Sequence, residues 1–287
     1  MTKNRETTQS PTVTDDEHGE LTAAAVTIGR RGLLRAAALG GLGLTALGAL
    51  SETVAAAAQS STTAPSGPTH QWCMIIDLRL CNGCKLCTTA CQTAHYLHED
   101  QTWMHVYTMQ NAAGEDYYMP RPCMMCEDPA CVPVCPVGAN IRTDEGLVLV
   151  DQSRCIGTRI CMYACPYDAR YFNWEQPVPA PRQPFPQEPE WPVPQVKGTV
   201  GKCIDCAAML PSGQLPECVT HCPMGVLYFG DLTSDAAVNG MGATVKVSTF
   251  LAENDAVIFK EEYGTHPRVY YIPGHGQDLD NNAAASS

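Results

Sequence analysis

The segment Cys81-Asn-Gly-Cys84-Lys-Leu-Cys87-Thr-Thr-Ala-Cys91 places four cysteines at a tight, regular spacing. Three related groups follow it along the chain. They are Cys123-x2-Cys126-x4-Cys131-x3-Cys135, Cys155-x5-Cys161-x3-Cys165 and Cys203-x2-Cys206-x11-Cys218-x3-Cys222. The four groups contain all but one of the 16 cysteines, and Thr158 stands where the third group would have its second cysteine.

The spacing C-x2-C-x2-C-x3-C is the one with which bacterial ferredoxins hold iron–sulfur clusters, the fourth cysteine serving the neighbouring cluster. Cys135, Cys165 and Cys222 are each followed by proline, as in that signature. Four groups therefore predict two ferredoxin-like pairs and a line of four clusters. So many one-electron sites in one chain indicate that the protein conducts electrons.

Two other uses of cysteine stay open at this point. Zinc sites take separated C-x2-C pairs with four ligands each, and the triple step of the first group leaves a surplus cysteine. An even number of cysteines in an exported chain is also typical of a disulfide framework. The beginning of the chain argues against disulfides.

That beginning is predicted to be a twin-arginine (Tat) export signal over residues 1–58. Arg30 and Arg31 directly precede an apolar, Ala- and Gly-rich stretch, and small residues at 55–58 suit cleavage. Because cluster thiolates need a reducing compartment for assembly, we expect assembly in the cytoplasm and then export. An ordinary Sec signal, or an uncleaved signal acting as a tether, is the alternative.

Composition excludes several functions. The formal net charge of −12 disfavours nucleic acid as a partner, and there is no Gly-rich phosphate loop. No Ser-His-Asp set or carboxylate pair indicates a substrate site. After the signal no run of about 20 apolar residues could span a membrane. A low charged fraction (17%) and 22 prolines predict a loop-rich fold to which metal binding contributes folding energy.

We expect a loop-rich α+β fold of two ferredoxin-like two-cluster lobes, short β-hairpins and an extended Pro-rich connector. Strands are predicted at 72–78 and 226–229, and a hairpin at 141–150 with its turn at 143–146. The predicted segments are the signal at 1–58, a linker at 59–71, a lobe at 72–122 and 196–235 with groups one and four, a lobe at 123–176 with groups two and three, the connector at 177–195 and a C-terminal extension at 236–287.

Three further segments accompany the four-group arrangement. The segment I-I-D-L-x-x-C-x-G-C that ends at Cys84, the segment Cys161-Met-Tyr-Ala-Cys165-Pro-Tyr and the closing Gly264-Thr-His-Pro-Arg-Val-Tyr-Tyr-Ile-Pro273 resemble the iron–sulfur subunits of molybdopterin oxidoreductases. These are the electron-transfer subunits of the dimethyl sulfoxide, polysulfide and tetrathionate reductase type. The resemblance covers residues 72–273. It implies a large molybdopterin-binding catalytic partner and a polytopic, quinone-reactive membrane partner.

The resemblance also implies the ligands of each cluster, pairing group one with four and group two with three. Cluster one would take Cys81, Cys84, Cys87 and Cys222; cluster two Cys123, Cys126, Cys131 and Cys165; cluster three Cys155, Cys161 and Cys135; cluster four Cys203, Cys206, Cys218 and Cys91. Because a hydroxyl is a poor iron ligand, Thr158 predicts a [3Fe–4S] cluster three beside three [4Fe–4S] clusters. A [4Fe–4S] cluster with water or another side chain on the fourth iron is the alternative.

The leading interpretation is a non-catalytic electron-transfer subunit, peripheral through a partner at the periplasmic or extracytoplasmic face of the membrane. Alternatives are the same subunit of a hydrogenase or of alternative complex III, or a free-standing periplasmic polyferredoxin. The segment Cys155-Ile-Gly-Thr-Arg-Ile-Cys161 is similar to the iron–sulfur domain of alternative complex III. Cys73 is predicted to be a buried small hydrophobe. His95, His98 and His105 are predicted to lie at the surface or to contact a partner.

Overall fold

A six-stranded mixed sheet joins the beginning of the described chain to its end. The computed structural model describes residues 70–175, 188, 192–276 and 279. The strand order is β10-β9-β8-β1-β12-β11. These strands are β1 (Trp72–Asp77), β8 (Leu227–Asp231), β9 (Ala236–Asn239), β10 (Thr244–Val245), β11 (Val257–Ile258) and β12 (Val269–Ile272).

The apolar sequence of β1 explains its place inside the sheet. Both faces of the strand are covered, and Cys73, Met74, Ile75 and Ile76 are each at most 2% exposed. A strand buried on both faces has a continuous apolar run instead of an alternating one. β1 pairs in parallel with β12 and antiparallel with β8, so strands far apart in the sequence lie on either side of it.

Three two-stranded antiparallel sheets complete the β-structure of the described residues. The first pairs β2 (His105–Gln110) with β3 (Asp116–Arg121). The second pairs β4 (Asn140–Arg142) with β5 (Val148–Val150). The third pairs β6 (Arg170–Phe172) with β7 (Val200–Lys202) and joins segments on either side of the Pro-rich stretch.

The described helices are few and short. They are α1 (Leu86–His95), α2 (Ile160–Tyr163), α3 (Glu217–Thr220) and α4 (Val247–Glu253), with 3₁₀ turns at Leu78–Leu80, Leu210–Ser212 and Glu261–Tyr263. Lys85 and Arg159, which precede α1 and α2, both have left-handed backbone conformations, with φ of 59° and 62°. The chain thus enters the helical part of the first and third cysteine groups in the same way.

The structure confirms the mixed α+β class with small sheets and few helices. It also confirms the strands predicted at 72–78 and 226–229 and the hairpin predicted at 141–150. The predicted signal at 1–58 and most of the predicted connector lie outside the described residues. In the part of the chain that the structure describes, no helix is long and apolar enough to cross a membrane.

Candidate iron–sulfur centres

Sheet register brings the first and fourth cysteine groups together. Ile76 of β1 is paired with Leu227 of β8. Cys81 follows Ile76 by five residues, and Cys222 precedes Leu227 by five, so both cysteines leave the sheet at the same end. They line one cavity with Cys84 and Cys87. We call this set site one.

The hairpin β4–β5 repeats the arrangement for groups two and three. Asn140 is paired with Val150. Cys135 precedes Asn140 by five residues, and Cys155 follows Val150 by five. Cys135, Cys155 and Cys161 line one cavity, and Thr158 lines it with them. We call this set site three.

Site two consists of Cys123, Cys126, Cys131 and Cys165, which line a third cavity. Cys123, Cys126 and Cys131 are each at most 9% exposed. Three of its cysteines belong to the second group and one to the third, so site two uses the same pair of groups as site three.

Site four consists of Cys91, Cys203, Cys206 and Cys218, all at most 7% exposed. Helix α1, which carries Cys91, contacts α3, which carries Cys218. Burial raises the pKa of Cys218 well above its ordinary value, and the other three cysteines of the site raise it further. The four thiols are therefore close enough to influence one another.

The chemistry of these sets fits iron–sulfur clusters. All 16 cysteines lie in the described part of the chain, and none forms a disulfide. Burial, reinforced by neighbouring thiols, raises the pKa of Cys87 and of Cys126 to about 12. Such thiols become thiolates at neutral pH only beside positive charge, which bound iron supplies. Among the described residues no three His, Cys, Asp or Glu side chains converge as they would on one ion; the cysteines surround cavities instead.

Comparison with known proteins agrees with this chemistry. Residues 114–180 match the family model described as a 4Fe-4S dicluster domain. The chain is 35% identical over 217 residues to the putative dimethyl sulfoxide reductase iron-sulfur subunit of Halobacterium salinarum, an alignment that covers 70% of this chain and 78% of that protein. It is 36% identical over 220 residues to one subunit of the selenate reductase of Mesobacillus selenatarsenatis, covering 70% and 72%. It is 32% identical over 236 residues to the iron-sulfur cluster-binding subunit of the menaquinone reductase of Nitratidesulfovibrio vulgaris, covering 70% and 88%.

The chain belongs to the iron–sulfur subunits of the molybdopterin oxidoreductases. It binds several iron–sulfur clusters and transfers electrons. The relatives do not favour the alternative assignment to a hydrogenase or to alternative complex III.

Nitrogen donors reach the sulfur atoms in three sites of this iron–sulfur subunit. The backbone N–H of Ala139 donates to Cys135 Sγ at 3.2 Å, and Arg170 Nη2 donates to Cys131 Sγ at 2.8 Å. His95 Nε2 lies 3.3 Å from Cys206 Sγ. Burial acts to raise the pKa of Cys135, but backbone N–H groups of residues 137–140 lower it overall. Such donors stabilise a thiolate and adjust the potential of the cluster that it holds.

The prediction that His95 lies at the surface is wrong. His95 is 2% exposed, its ring lies 4.7 Å from that of Trp103, and burial lowers its pKa to about 4. Helix periodicity explains the error, because position 95 lies four residues after Cys91 and shares its buried face.

His105 is exposed and the side chain of His98 is 33% exposed, as predicted. Cys73 is 2% exposed, which confirms its prediction as a buried hydrophobe.

Three buried cations were not anticipated from the sequence, and one of them, Arg268, is 5% exposed. Arg170 is 4% exposed and Lys202 is 1% exposed. Lysine and arginine are almost never fully buried unless they are paired, so composition gives no reason to expect them inside. A positional signal does exist, because Lys202 directly precedes Cys203 and Arg170 follows Cys165 by five residues.

Proposed function

We propose that this protein relays single electrons through four clusters between a molybdopterin catalytic subunit and a quinone-reactive membrane subunit. The observation that carries the proposal is that fifteen cysteines from four separated groups gather into four sets, three of which line cavities while the fourth is buried throughout. When bound, each cluster accepts and releases one electron. The chain's own residues hold the clusters, exclude water from them and supply hydrogen bonds to their sulfur ligands.

The ligand sets follow from the four sites. Site one would use Cys81, Cys84, Cys87 and Cys222; site two Cys123, Cys126, Cys131 and Cys165; site three Cys135, Cys155 and Cys161; and site four Cys91, Cys203, Cys206 and Cys218. Each of sites one, two and four takes three cysteines from one group and a fourth from the paired group. Site three takes two cysteines from the third group and one from the second. This exchange favours two close cluster pairs, one in each ferredoxin-like lobe.

Site three is proposed to hold a [3Fe–4S] cluster and the other sites [4Fe–4S] clusters. Thr158 is exposed and lines the cavity of site three with its three cysteines. Its hydroxyl is a neutral oxygen among thiolates, so it leaves the fourth iron without a strong ligand. This cluster has one thiolate and one iron fewer than a complete [4Fe–4S] site. Its reduction potential is therefore expected toward the higher end of the range of such clusters.

Exposed apolar side chains beside sites one and three support two partner contacts. Ile156 is 66% exposed and Tyr163 is 92% exposed next to site three, while Leu80 and Leu86 are 44% and 49% exposed next to site one. Apolar surface of this kind is typical of interaction sites. We propose that the two partners meet the protein at these two surfaces, which lie where electrons enter and leave.

Export by the Tat route is the proposed path to the extracytoplasmic face of the membrane, where the protein would be peripheral through its partners. Replacing Arg30 and Arg31 by lysine should leave a cluster-loaded precursor in the cytoplasm, because the twin arginines are a recognition element and more than a positive flank. The measurement is fractionation of cells that express the chain without its partners. Undiminished export of the double-lysine variant would contradict the signal assignment.

Cysteine variants test the ligand sets. Cys131→Ser and Cys218→Ser should each remove or convert one cluster, detected as a loss of iron and of one electron paramagnetic resonance (EPR) signal in the purified complex. Cys73→Ala is the matched control, because this buried cysteine lies in β1 outside all four sites. Full iron and unchanged spectra in both serine variants would contradict the proposed sets.

A further inference from the structure

Arg170 and Lys202 face each other across the strands β6 and β7, where they are directly paired in the ladder. Both are buried. Like charges directly opposite on neighbouring strands are destabilising, and a buried charge is costly unless it is compensated. The fold therefore needs negative charge close to this pair.

No carboxylate supplies that charge at contact distance. Among the ion pairs of the described residues, none includes Arg170 or Lys202. The Lys202 ammonium donates to the carbonyl oxygens of Val148 and Cys203, which are neutral. Arg170 donates to Asn140 Oδ1 and to Cys131 Sγ, both at 2.8 Å. The buried carboxyl of Asp205 interacts with Lys202 at longer range, and the other anionic partners within reach are the cysteine sites.

Lys202 connects site two with site four. Its Nζ lies 3.7 Å from the sulfur of Met125, which stands between the site-two cysteines Cys123 and Cys126 in the sequence. Val148, whose carbonyl it binds, lines the cavity of site two. Its other carbonyl partner belongs to Cys203 of site four. The ammonium thus contacts the surroundings of two sites that are drawn from different pairs of cysteine groups.

Arg170 connects site two with site three. It lines the cavity of site two and binds the sulfur of Cys131 directly. Its second partner, Asn140, lines the cavity of site three. Burial acts to lower the pKa of Arg170, but the cysteines of both sites raise it overall. Site two is therefore adjacent to both cations, whereas sites three and four are each adjacent to one.

We propose that Arg170 and Lys202 form a shared cationic bridge that raises the reduction potentials of sites two, three and four. Lys202 raises the potentials of sites two and four, and Arg170 raises those of sites two and three. The inference rests on the proposed ligand sets. Each reduction adds one electron to an anionic site and forms or breaks no bond, so a neighbouring cation stabilises the reduced form more than the oxidised form. Site one contacts neither cation. The two residues act through the sites and are positioning residues.

The test is an EPR-monitored redox titration of the intact complex with dithionite as the reductant. Signals are assigned to sites with one Cys→Ser variant for each site. Lys202→Met removes the charge and keeps an unbranched stem, Lys202→Arg keeps the charge, and Lys197→Met removes the same charge from an exposed position of the same segment. We expect Lys202→Met to lower the midpoints of sites two and four and to leave that of site one unchanged. Lys202→Arg should restore them, and Lys197→Met should change none. Arg170→Met should lower sites two and three.

The possible results distinguish a failure of the cationic bridge from a failure of the proposed function. Unchanged midpoints in Lys202→Met with full iron content would overturn the bridge and leave the ligand sets intact. A wild-type complex that holds no iron in sites two and four would instead overturn the proposed function. Lys202→Gln keeps an N–H donor for the two carbonyls without the charge, and it should repeat the shift seen in Lys202→Met. If both neutral variants fail to take up iron while Lys202→Arg does, the residue acts in assembly and the tuning role is wrong.

Discussion

Replacing His95 by leucine tests whether the buried imidazole adjusts the potential of site four. Its Nε2 lies 3.3 Å from Cys206 Sγ, and the side chain is almost fully enclosed. Because burial keeps the ring neutral, one nitrogen carries the single N–H. A thiolate at Cys206 accepts a hydrogen bond from Nε2–H, which leaves Nδ1 as the atom without a hydrogen-bond partner. Leucine keeps most of the volume and removes the donor.

The magnitude follows from the strength of this bond. A hydrogen bond to a charged group contributes about 1.5–3 kcal/mol, and only the part that strengthens on reduction affects the potential. If that part is roughly 1 kcal/mol, the one-electron midpoint of site four should fall by roughly 40 mV, since a tenfold change corresponds to about 59 mV. The loss of the aromatic contact with Trp103 should cost only about 0.5–1.5 kcal/mol of folding free energy.

The assay is the same EPR-monitored titration, with His95→Gln as the matched variant because its amide retains an N–H donor. His95→Leu should lower the midpoint of site four alone, and His95→Gln should recover much of the shift. An unchanged midpoint of site four with the cluster retained would refute the reasoning. Equal shifts at all sites would refute it as well, because they would show a general change of structure.

Three further results are expected. Thr158→Cys should replace the near-isotropic signal of the air-oxidised protein by a reduced [4Fe–4S] spectrum, and an EPR-silent oxidised wild type would contradict the [3Fe–4S] assignment. Gly157→Ala should destabilise the loop of site three by about 1–3 kcal/mol in denaturant unfolding, because φ is +70° and the new Cβ would lie 2.4 Å from a carbonyl oxygen; Gly114→Ala, with φ of +79° and open space, should cost less. Burial acts to raise the pKa of Asp231, but hydrogen bonds from His70 and from backbone N–H groups lower it overall. A depressed folded pKa stabilises the fold above the unfolded value near 3.8 and loses this effect as pH falls through the folded pKa, so Asp231→Asn should flatten the acid dependence of unfolding in that range.

The sequence predicted the elements that are local and periodic. The apolar run at 72–78 and the turn chemistry at 143–146 each predict their strands without reference to the rest of the chain. Cys81 and Cys222 come to the same site because of the antiparallel register of β1 with β8. The spacing of cysteines in the sequence does not predict that register. The parallel neighbour β12 lies near the other end of the described chain, and only tertiary packing brings it beside β1.

The buried donors were beyond prediction for a different reason. Residue type predicts exposure for lysine, arginine and histidine because their charge is expensive to bury. Lys202 and Arg170 lie next to cysteine sites inside the protein, and that proximity exists only once β6 and β7 are paired. His95 could have been found from its i+4 spacing to Cys91, provided that α1 was known to continue past the last ligand.

EPR of the anaerobically purified complex, combined with iron and sulfide analysis, tests the central claim most directly. The proposed ligand sets predict three [4Fe–4S] clusters that become paramagnetic on reduction and one [3Fe–4S] cluster that is paramagnetic when oxidised, all lost from their sites when the corresponding cysteines are replaced. Fewer than four clusters in fully loaded protein, or four signals that survive replacement of the cysteines in sites one to four, would contradict it.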